Sequence, residues 1–269
     1  MTGPIYKPKG KALEYSPLAL NLYEGCGHGC FYCYVPKIPG HHHWKQGAPA
    51  VPRDGIIERL KRQVANKKIR EQVLLSFTSD PYNPSENDYR LTRQALRYLN
   101  MYNVPVAILT KGGARCLRDL DYFHCFGEDI KVGATLTYIT NSISKKFEPG
   151  AAGTEERVDT LKRLHEEGIR TWVSFEPVVD PSSFFSLYNQ VDDFVDEIMV
   201  GKWNYSPGAE KIDWVSFAQR ALAVLRLHRD KYNGPRFYIK QSLQSYFPPG
   251  VLDPEEIDPT KFYFGEVPF

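Results

Sequence analysis

Gly25-Cys26-Gly27-His28-Gly29-Cys30-Phe31-Tyr32-Cys33-Tyr34 sets three thiols at spacings of four and three residues, just after the apolar run at residues 18–22. Thiols so spaced converge if the backbone curls around a bound object. Gly25, Gly27 and Gly29 permit the positive φ values such a loop needs. Thiolates favour soft metal centres, zinc and iron–sulfur clusters among them. Three protein sulfurs would leave one corner of a four-iron cluster open to an exogenous ligand. The other reading is a structural zinc site completed by His28, or by His41, His42 or His43. Structural zinc usually shows paired CxxC knuckles, and this chain has no second one.

Outward from this loop, short apolar runs alternate with helix-like stretches. Strands are expected at residues 18–22, 72–77, 104–110, 131–137, 170–175 and 197–200, with a later one at 236–240. Helices are expected at 54–65, 90–102, 117–125, 155–167 and 214–232. In the first, Ile56, Ile57, Leu60 and Val64 recur at near-helical spacing. For the fourth, Thr154 is the candidate N-cap and Gly168 the stop. Strands alternating with helices predict parallel βαβ units joined by right-handed crossovers. Six such repeats are too few for a closed eight-unit barrel and suit an open one. The fold expected is α/β, a partial (β/α)6 TIM-like barrel over residues 1–245 with a C-terminal tail, 246–269, covering one end. Residues 35–53 read as a long loop.

Composition narrows the function classes. The chain has 269 residues, 42% hydrophobic and 25% charged, with a formal net charge of +2. That balance indicates no strong global attraction to nucleic acid or anionic membrane. No apolar run approaches the roughly 18 residues of a membrane span, and the first 20 residues lack the apolar core of a secretory signal. The expected compartment is the cytoplasm. Five cysteines, an odd number with three clustered, do not suit a disulfide framework.

The CxxxCxxC spacing after a first strand, with an aromatic just before the last cysteine, resembles the radical S-adenosylmethionine (SAM) superfamily. The resemblance continues at later strand ends. Ser76-Phe77-Thr78-Ser79-Asp80-Pro81-Tyr82-Asn83-Pro84-Ser85-Glu86 is similar to the strand-two motif of the branch that holds spore photoproduct lyase and its photolyase-like relatives. Leu109-Thr110-Lys111, Thr135-Leu136-Thr137, Phe175-Glu176-Pro177 and Gly201-Lys202-Trp203-Asn204-Tyr205 resemble the same branch. The match covers about residues 15–205. It implies that Cys26, Cys30 and Cys33 hold a [4Fe-4S] cluster whose open iron binds SAM. It further implies reductive cleavage to a 5′-deoxyadenosyl radical that abstracts hydrogen from substrate, with electrons from a flavodoxin- or ferredoxin-like donor.

Carried over by motif, Ser79 and Asp80 suit the SAM ammonium group, and Lys111 its carboxylate or ribose. Thr135 or Thr137 reaches a ribose hydroxyl or the carboxylate, and Tyr32 or Tyr34 packs near adenine. Phe147-Glu148-Pro149 followed by Arg157 in the next helix resembles a superfamily feature, in which Arg157 approaches the SAM carboxylate; its plainer reading is a surface salt bridge. Glu176 faces the pocket or a loop, and Trp203, Asn204 and Tyr205 touch substrate or anchor packing. Phe31 packs beneath the cluster. Each has a plainer reading as well: a turn at Asp80-Pro81, a solvated loop lysine, strand threonines. Joint placement after successive strands favours the site. The chain departs from the branch where spore photoproduct lyase has its hydrogen-donating cysteine, here Thr78. The threonine O–H bond is much stronger than S–H, so this is not a spore photoproduct lyase with the family mechanism. Cys116, after the third strand, approaches the cavity or is a small buried hydrophobe, as Cys125 is. The basic run in residues 58–71 contacts phosphate or is a solvated helix face. Three functions remain: radical chemistry on nucleic acid, the same on a small molecule or peptide, and a zinc-stabilised binding protein.

Overall fold

The computed structural model describes residues 3–38, 40, 41, 44–204 and 206–265. Ten strands occur among them: β1 (Ile5–Tyr6), β2 (Leu18–Leu20), β3 (Tyr23–Glu24), β4 (Val51–Pro52), β5 (Val73–Leu75), β6 (Val106–Thr110), β7 (Ile130–Thr135), β8 (Arg170–Val178), β9 (Glu197–Lys202) and β10 (Arg236–Ile239). Eight form one sheet in the order β1-β2-β5-β6-β7-β8-β9-β10. β1 runs antiparallel to β2, and every other pairing is parallel. The seven parallel strands are those expected from sequence. The sheet is α/β and barrel-like in strand order, and its hydrogen-bonded ladder ends at β1 and β10.

Strand alternation sorts each strand into two faces. Val73, Val106, Ile108, Ile130 and Val132 pack outward with the helix residues Leu60, Val64, Leu96 and Leu99. Further along, Val173, Phe175, Ile198, Val200, Phe237 and Ile239 pack with Phe184, Phe217 and Leu225. The opposite face gathers Leu74, Ala107, Trp172, Met199 and Tyr238 around Phe262. Parallel strands covered by helices outside and filled inside are buried on both faces, so they read as near-continuous apolar runs.

Helices form at Ile56–Asn66, Leu91–Met101, Leu120–Phe126, Thr154–Glu166 and Trp214–Tyr232, within a few residues of expectation. Thr154 is not the N-cap: Gly153 is, and the Thr154 hydroxyl instead donates to the Tyr138 carbonyl (2.6 Å). Gly168 does mark the end, at φ 75°. Two helices of seven residues or more were not anticipated, Asn141–Phe147 and Pro181–Tyr188. The first buries only Ser144, so it has no apolar stripe to read. The second starts on Asp180, whose carboxylate accepts from the Ser182 and Ser183 amides. The long loop 35–53 contains a 3-10 turn, Val35–Lys37, and the strand β4, which pairs with β3.

At the N-terminal ends of the parallel strands, Lys131 is fully buried, donating to Glu197 (2.5 Å) and to the Phe262 carbonyl. Glu197 also accepts from Arg236 (2.6 Å). The Gln72 amide donates to the Phe264 carbonyl (3.2 Å), and Glu71 bridges to Gly265. Residues 259–265 therefore lie across this floor. Among the described residues no helix is long and apolar enough to cross a membrane.

Candidate functional site

The opposite rim, at the strand C-terminal ends, carries the cysteine loop. Its base is clamped by the β3–β4 pair. Gly25, Gly27 and Gly29 all have positive φ (88°, 72° and 64°), which L side chains rarely adopt. The loop is tied down from several directions. The Gly27 amide donates to Ala48 (2.9 Å), Phe31 to Phe147 (2.8 Å) and Gly150 to His28 (2.9 Å). The Ser79 hydroxyl, just beyond β5, donates to the Gly25 carbonyl (2.6 Å). The segment Phe147–Gly150, beyond β7, thus forms one wall of the loop, and the end of β5 supports it from below.

The three thiols sit on this one loop, from Cys26 to Cys33. Burial pushes Cys30 up to about 12, opposed by the positive charge of Lys111. Cys33 is raised by burial too, again against Lys111. Cys26 is raised by burial, then by Asp80, Cys30 and Cys33. Buried thiols that resist ionisation need a cationic centre to become thiolates. Lys111 lies with its ammonium 5.6 Å from the Tyr32 ring centroid, half-buried after β6.

Asp80 is a junction: Oδ1 accepts from Thr110 (2.6 Å) and the Tyr82 amide (2.8 Å), and Oδ2 from the Lys111 amide (2.7 Å). Its carboxylate therefore fastens the end of β5 to the end of β6. Arg157 is equally committed. It donates to the carbonyls of Ala152 (2.8 Å) and Thr135 (2.9 Å), to Ser144 (3.0 Å) and to Glu148, in a buried ion pair. Tyr32 donates to Glu148 and shares a 3.2 Å hydrogen bond with Thr137. Tyr34 reaches the Phe77 carbonyl (2.7 Å). Thr135 is buried at the end of β7. Glu176, in β8, accepts from Tyr15 (2.6 Å) and pairs with Lys240 (2.6 Å). Neither Tyr15 nor Lys240 was singled out by sequence reading.

Other expectations resolve plainly. Phe31 is half-exposed, its ring set against Phe147 and Trp203. Cys116 is the small buried hydrophobe of the outer core, whereas Cys125, expected to be one as well, is exposed. The basic residues at 59, 61, 62, 67, 68 and 70 are all exposed, on and after the helix Ile56–Asn66. His42, His43 and Tyr205 lie outside the described residues.

Four buried polar atoms near this loop have no hydrogen-bond partner, His28 Nε2, Thr78 Oγ1, Tyr138 Oη and Trp203 Nε1, while Tyr188 Oη is unpaired in the outer core. Buried polar groups are nearly always paired, so orphans gathered at one rim point to a polar occupant. His28 is held neutral by burial, lowered to about 4 against the opposing pull of Asp80. Among the described residues no three His, Cys, Asp or Glu side chains are drawn into a metal-holding group. The donor set itself, three thiols on one loop beside a lysine and unpaired polar atoms, fits a thiolate-held iron–sulfur cluster and a polar co-substrate.

Residues 20–182 match the family model described as the radical SAM superfamily. An uncharacterized protein of Methanocaldococcus jannaschii is 33% identical over 177 residues, 65% of this chain and 64% of that one. An uncharacterized protein of Mycobacterium tuberculosis is 24% identical over 179 residues, 64% of this chain and 52% of that one. The chain thus spans less than two thirds of the length of these relatives. SuiB of Streptococcus suis bound to S-adenosylmethionine superposes with a TM-score of 0.63 at 12% identity, covering 88% of this chain and 53% of that one. A spore photoproduct lyase variant with bound AdoMet and dinucleoside spore photoproduct gives 0.61 at 13% identity, covering 88% and 78%. At such identities the likeness is one of fold.

Proposed function

The chain belongs to the radical SAM superfamily, and from that premise we propose that it reductively cleaves SAM and uses the resulting 5′-deoxyadenosyl radical to abstract hydrogen from a nucleic-acid base. Cys26, Cys30 and Cys33 would hold a [4Fe-4S] cluster. When bound, the cluster supplies the reducing electron and an open coordination site for SAM. The observation that carries the reading is the three-cysteine loop, with Lys111 and unpaired polar atoms beside it, at the C-terminal rim of a parallel sheet, the end where such folds place chemistry.

The chain's own groups divide the work. Lys111 places a positive charge beside Cys30 and Cys33, where an anionic cluster or the SAM carboxylate would sit. Asp80 and Arg157 act indirectly, fixing the ends of β5, β6 and β7 so that the loop keeps its shape. His28 stays neutral and adds no charge beside the thiols. Thr78 cannot return a hydrogen atom as a thiol would, and Cys116 is sealed in the outer core. The rings of Phe31 and Tyr34, both exposed beside the loop, supply faces against which a flat base can stack. An electron donor of the flavodoxin or ferredoxin class would serve the cluster.

Anaerobic reconstitution tests this. The expected result is about four irons per chain for a cluster of this type and 5′-deoxyadenosine when SAM and dithionite are added. A colourless protein carrying one zinc and releasing no 5′-deoxyadenosine contradicts it. Mobility shift with single-stranded DNA or RNA at moderate salt tests the substrate class, and modification of a peptide or small molecule without nucleic-acid binding would replace it.

A further inference from the structure

Charge is buried a second time near the rim, on the inner face of the sheet. Lys240, the residue after β10, is 1% exposed, its ammonium 2.6 Å from Glu176 Oε2 and 3.5 Å from Glu14 Oε2. It stands 3.6 Å from the centroid of the Tyr15 ring. Tyr15 donates to the same Glu176 oxygen (2.6 Å) and shares a 3.0 Å hydrogen bond with Ser174. Glu14 Oε1 accepts from the Tyr238 hydroxyl (2.9 Å) and the Gln241 amide (2.7 Å). The N-terminal segment therefore brings a carboxylate and a phenol against the last strand, where the sheet's ladder ends.

This cluster is under-satisfied. Two carboxylates face one ammonium. Glu14 Oε2 is buried without a hydrogen bond. Among the described residues no hydrogen bond reaches Glu176 Oε1, although that side chain remains 16% exposed. The unbonded Glu176 oxygen is partly exposed and so stands open to a donor from outside the fold. Gly201 preserves the room: a Cβ there would lie 2.8 Å from Glu176 Cδ and Oε1. The cluster also adjoins the cysteine loop: the Tyr15 ring packs edge-on against Phe77 (6.1 Å between centroids), whose carbonyl accepts from the Tyr34 hydroxyl (2.7 Å).

We propose that Glu176 Oε1, held by Lys240 and Tyr15 and backed by Glu14, is a substrate-recognition acceptor that takes the exocyclic amino group of a cytosine or adenine. This rests on the nucleic-acid reading above. The excess of negative charge favours an N–H donor and disfavours a phosphate or carboxylate. The exposed rings of Phe31 and Tyr34 (48% and 42%) supply faces on which a flat base can stack.

Cluster-loaded protein with SAM, without reductant, is titrated with two pairs of single-stranded oligothymidylates. One pair carries a central cytosine or N4,N4-dimethylcytosine, the other adenine or N6,N6-dimethyladenine. A lysine-containing peptide is titrated in parallel. In at least one pair the amino-bearing strand binds about tenfold or more tightly, the loss expected for one hydrogen bond to a charged group. Glu176→Gln removes the difference, and so does Gly201→Ala, which crowds the carboxylate without changing its charge. Equal binding within both pairs, or discrimination that survives both substitutions, overturns the assignment. Absence of binding by any strand overturns it together with the nucleic-acid reading, as does Glu176-dependent binding of the peptide alone. 5′-Deoxyadenosine formation by the same preparation with dithionite separates these failures from failure of the radical chemistry itself.

Discussion

The floor and the rim of this sheet both bury charge, and they treat it differently. At the floor, Lys131 meets Glu197 and a backbone carbonyl, and Glu197 meets Arg236. At the rim, Arg157 and Glu148 are paired in the same way, but His28 Nε2, Thr78 Oγ1, Tyr138 Oη and Glu14 Oε2 are buried without a hydrogen bond. Paired buried charge organises a fold, and here it seats residues 259–265 across the strand starts. Unpaired buried polarity is tolerated where a ligand completes it. The contrast separates the structural end of the molecule from the chemical end without reference to any relative.

The contrast is most exposed to failure at the thiols. Cys30→Ala should lose the iron and bring 5′-deoxyadenosine to background while the fold survives, measured by iron content, product chromatography and circular dichroism. Retained iron and product would show that the rim does not hold the cluster through this residue. At the floor the opposite is expected. Lys131→Met should cost a few kcal/mol of stability in chemical denaturation, since one partner of a buried pair is removed, yet leave SAM cleavage per folded molecule unchanged. Loss of SAM cleavage at full stability would erase the distinction between the two ends.

Lys111→Gln should weaken SAM binding to the reconstituted protein about tenfold, as loss of one charge-assisted contact does, with stability altered by less than about 0.5 kcal/mol. Calorimetric titration reads the first and thermal unfolding the second. The smallest effect concerns His28. Its folded value, about 4, lies below the ordinary value of 6.5. As pH falls through that window the unfolded chain takes up a proton that the folded chain refuses. Stability present above the ordinary value is therefore lost as pH drops toward the folded one. His28→Gln should flatten the decline in melting temperature between pH 7 and pH 4, compared in ligand-free protein. An unchanged slope would mean that His28 is not buried neutral.

Local pattern carried the strands and the loop. The seven parallel strands show in the sequence because apolar runs survive burial on both faces, and the cysteine loop shows because its spacing and glycines are contiguous. Lys111 was singled out only through the motif Leu109-Thr110-Lys111 that resembles the family, not through local pattern. The polar cluster was not legible. Tyr15 is 161 residues from Glu176, and Glu14 is 224 from Tyr238 and 227 from Gln241. No periodicity joins such positions, and Lys131 and Lys240 look like ordinary strand-edge lysines until the sheet brings carboxylates to them. Asp80 and Arg157 teach a related lesson. Both stand in motifs that resemble SAM contacts, and the fold engages their polar atoms internally. A motif marks where chemistry is built, while the contacts show which of its residues brace the site.

The most direct test is a crystal grown without oxygen from reconstituted protein with SAM. Electron density should show Cys26, Cys30 and Cys33 each on a separate iron, SAM on the remaining iron, and the Lys111 ammonium facing it at the rim. Sulfurs wrapped about a single tetrahedral ion, or SAM bound away from the rim, would contradict the account.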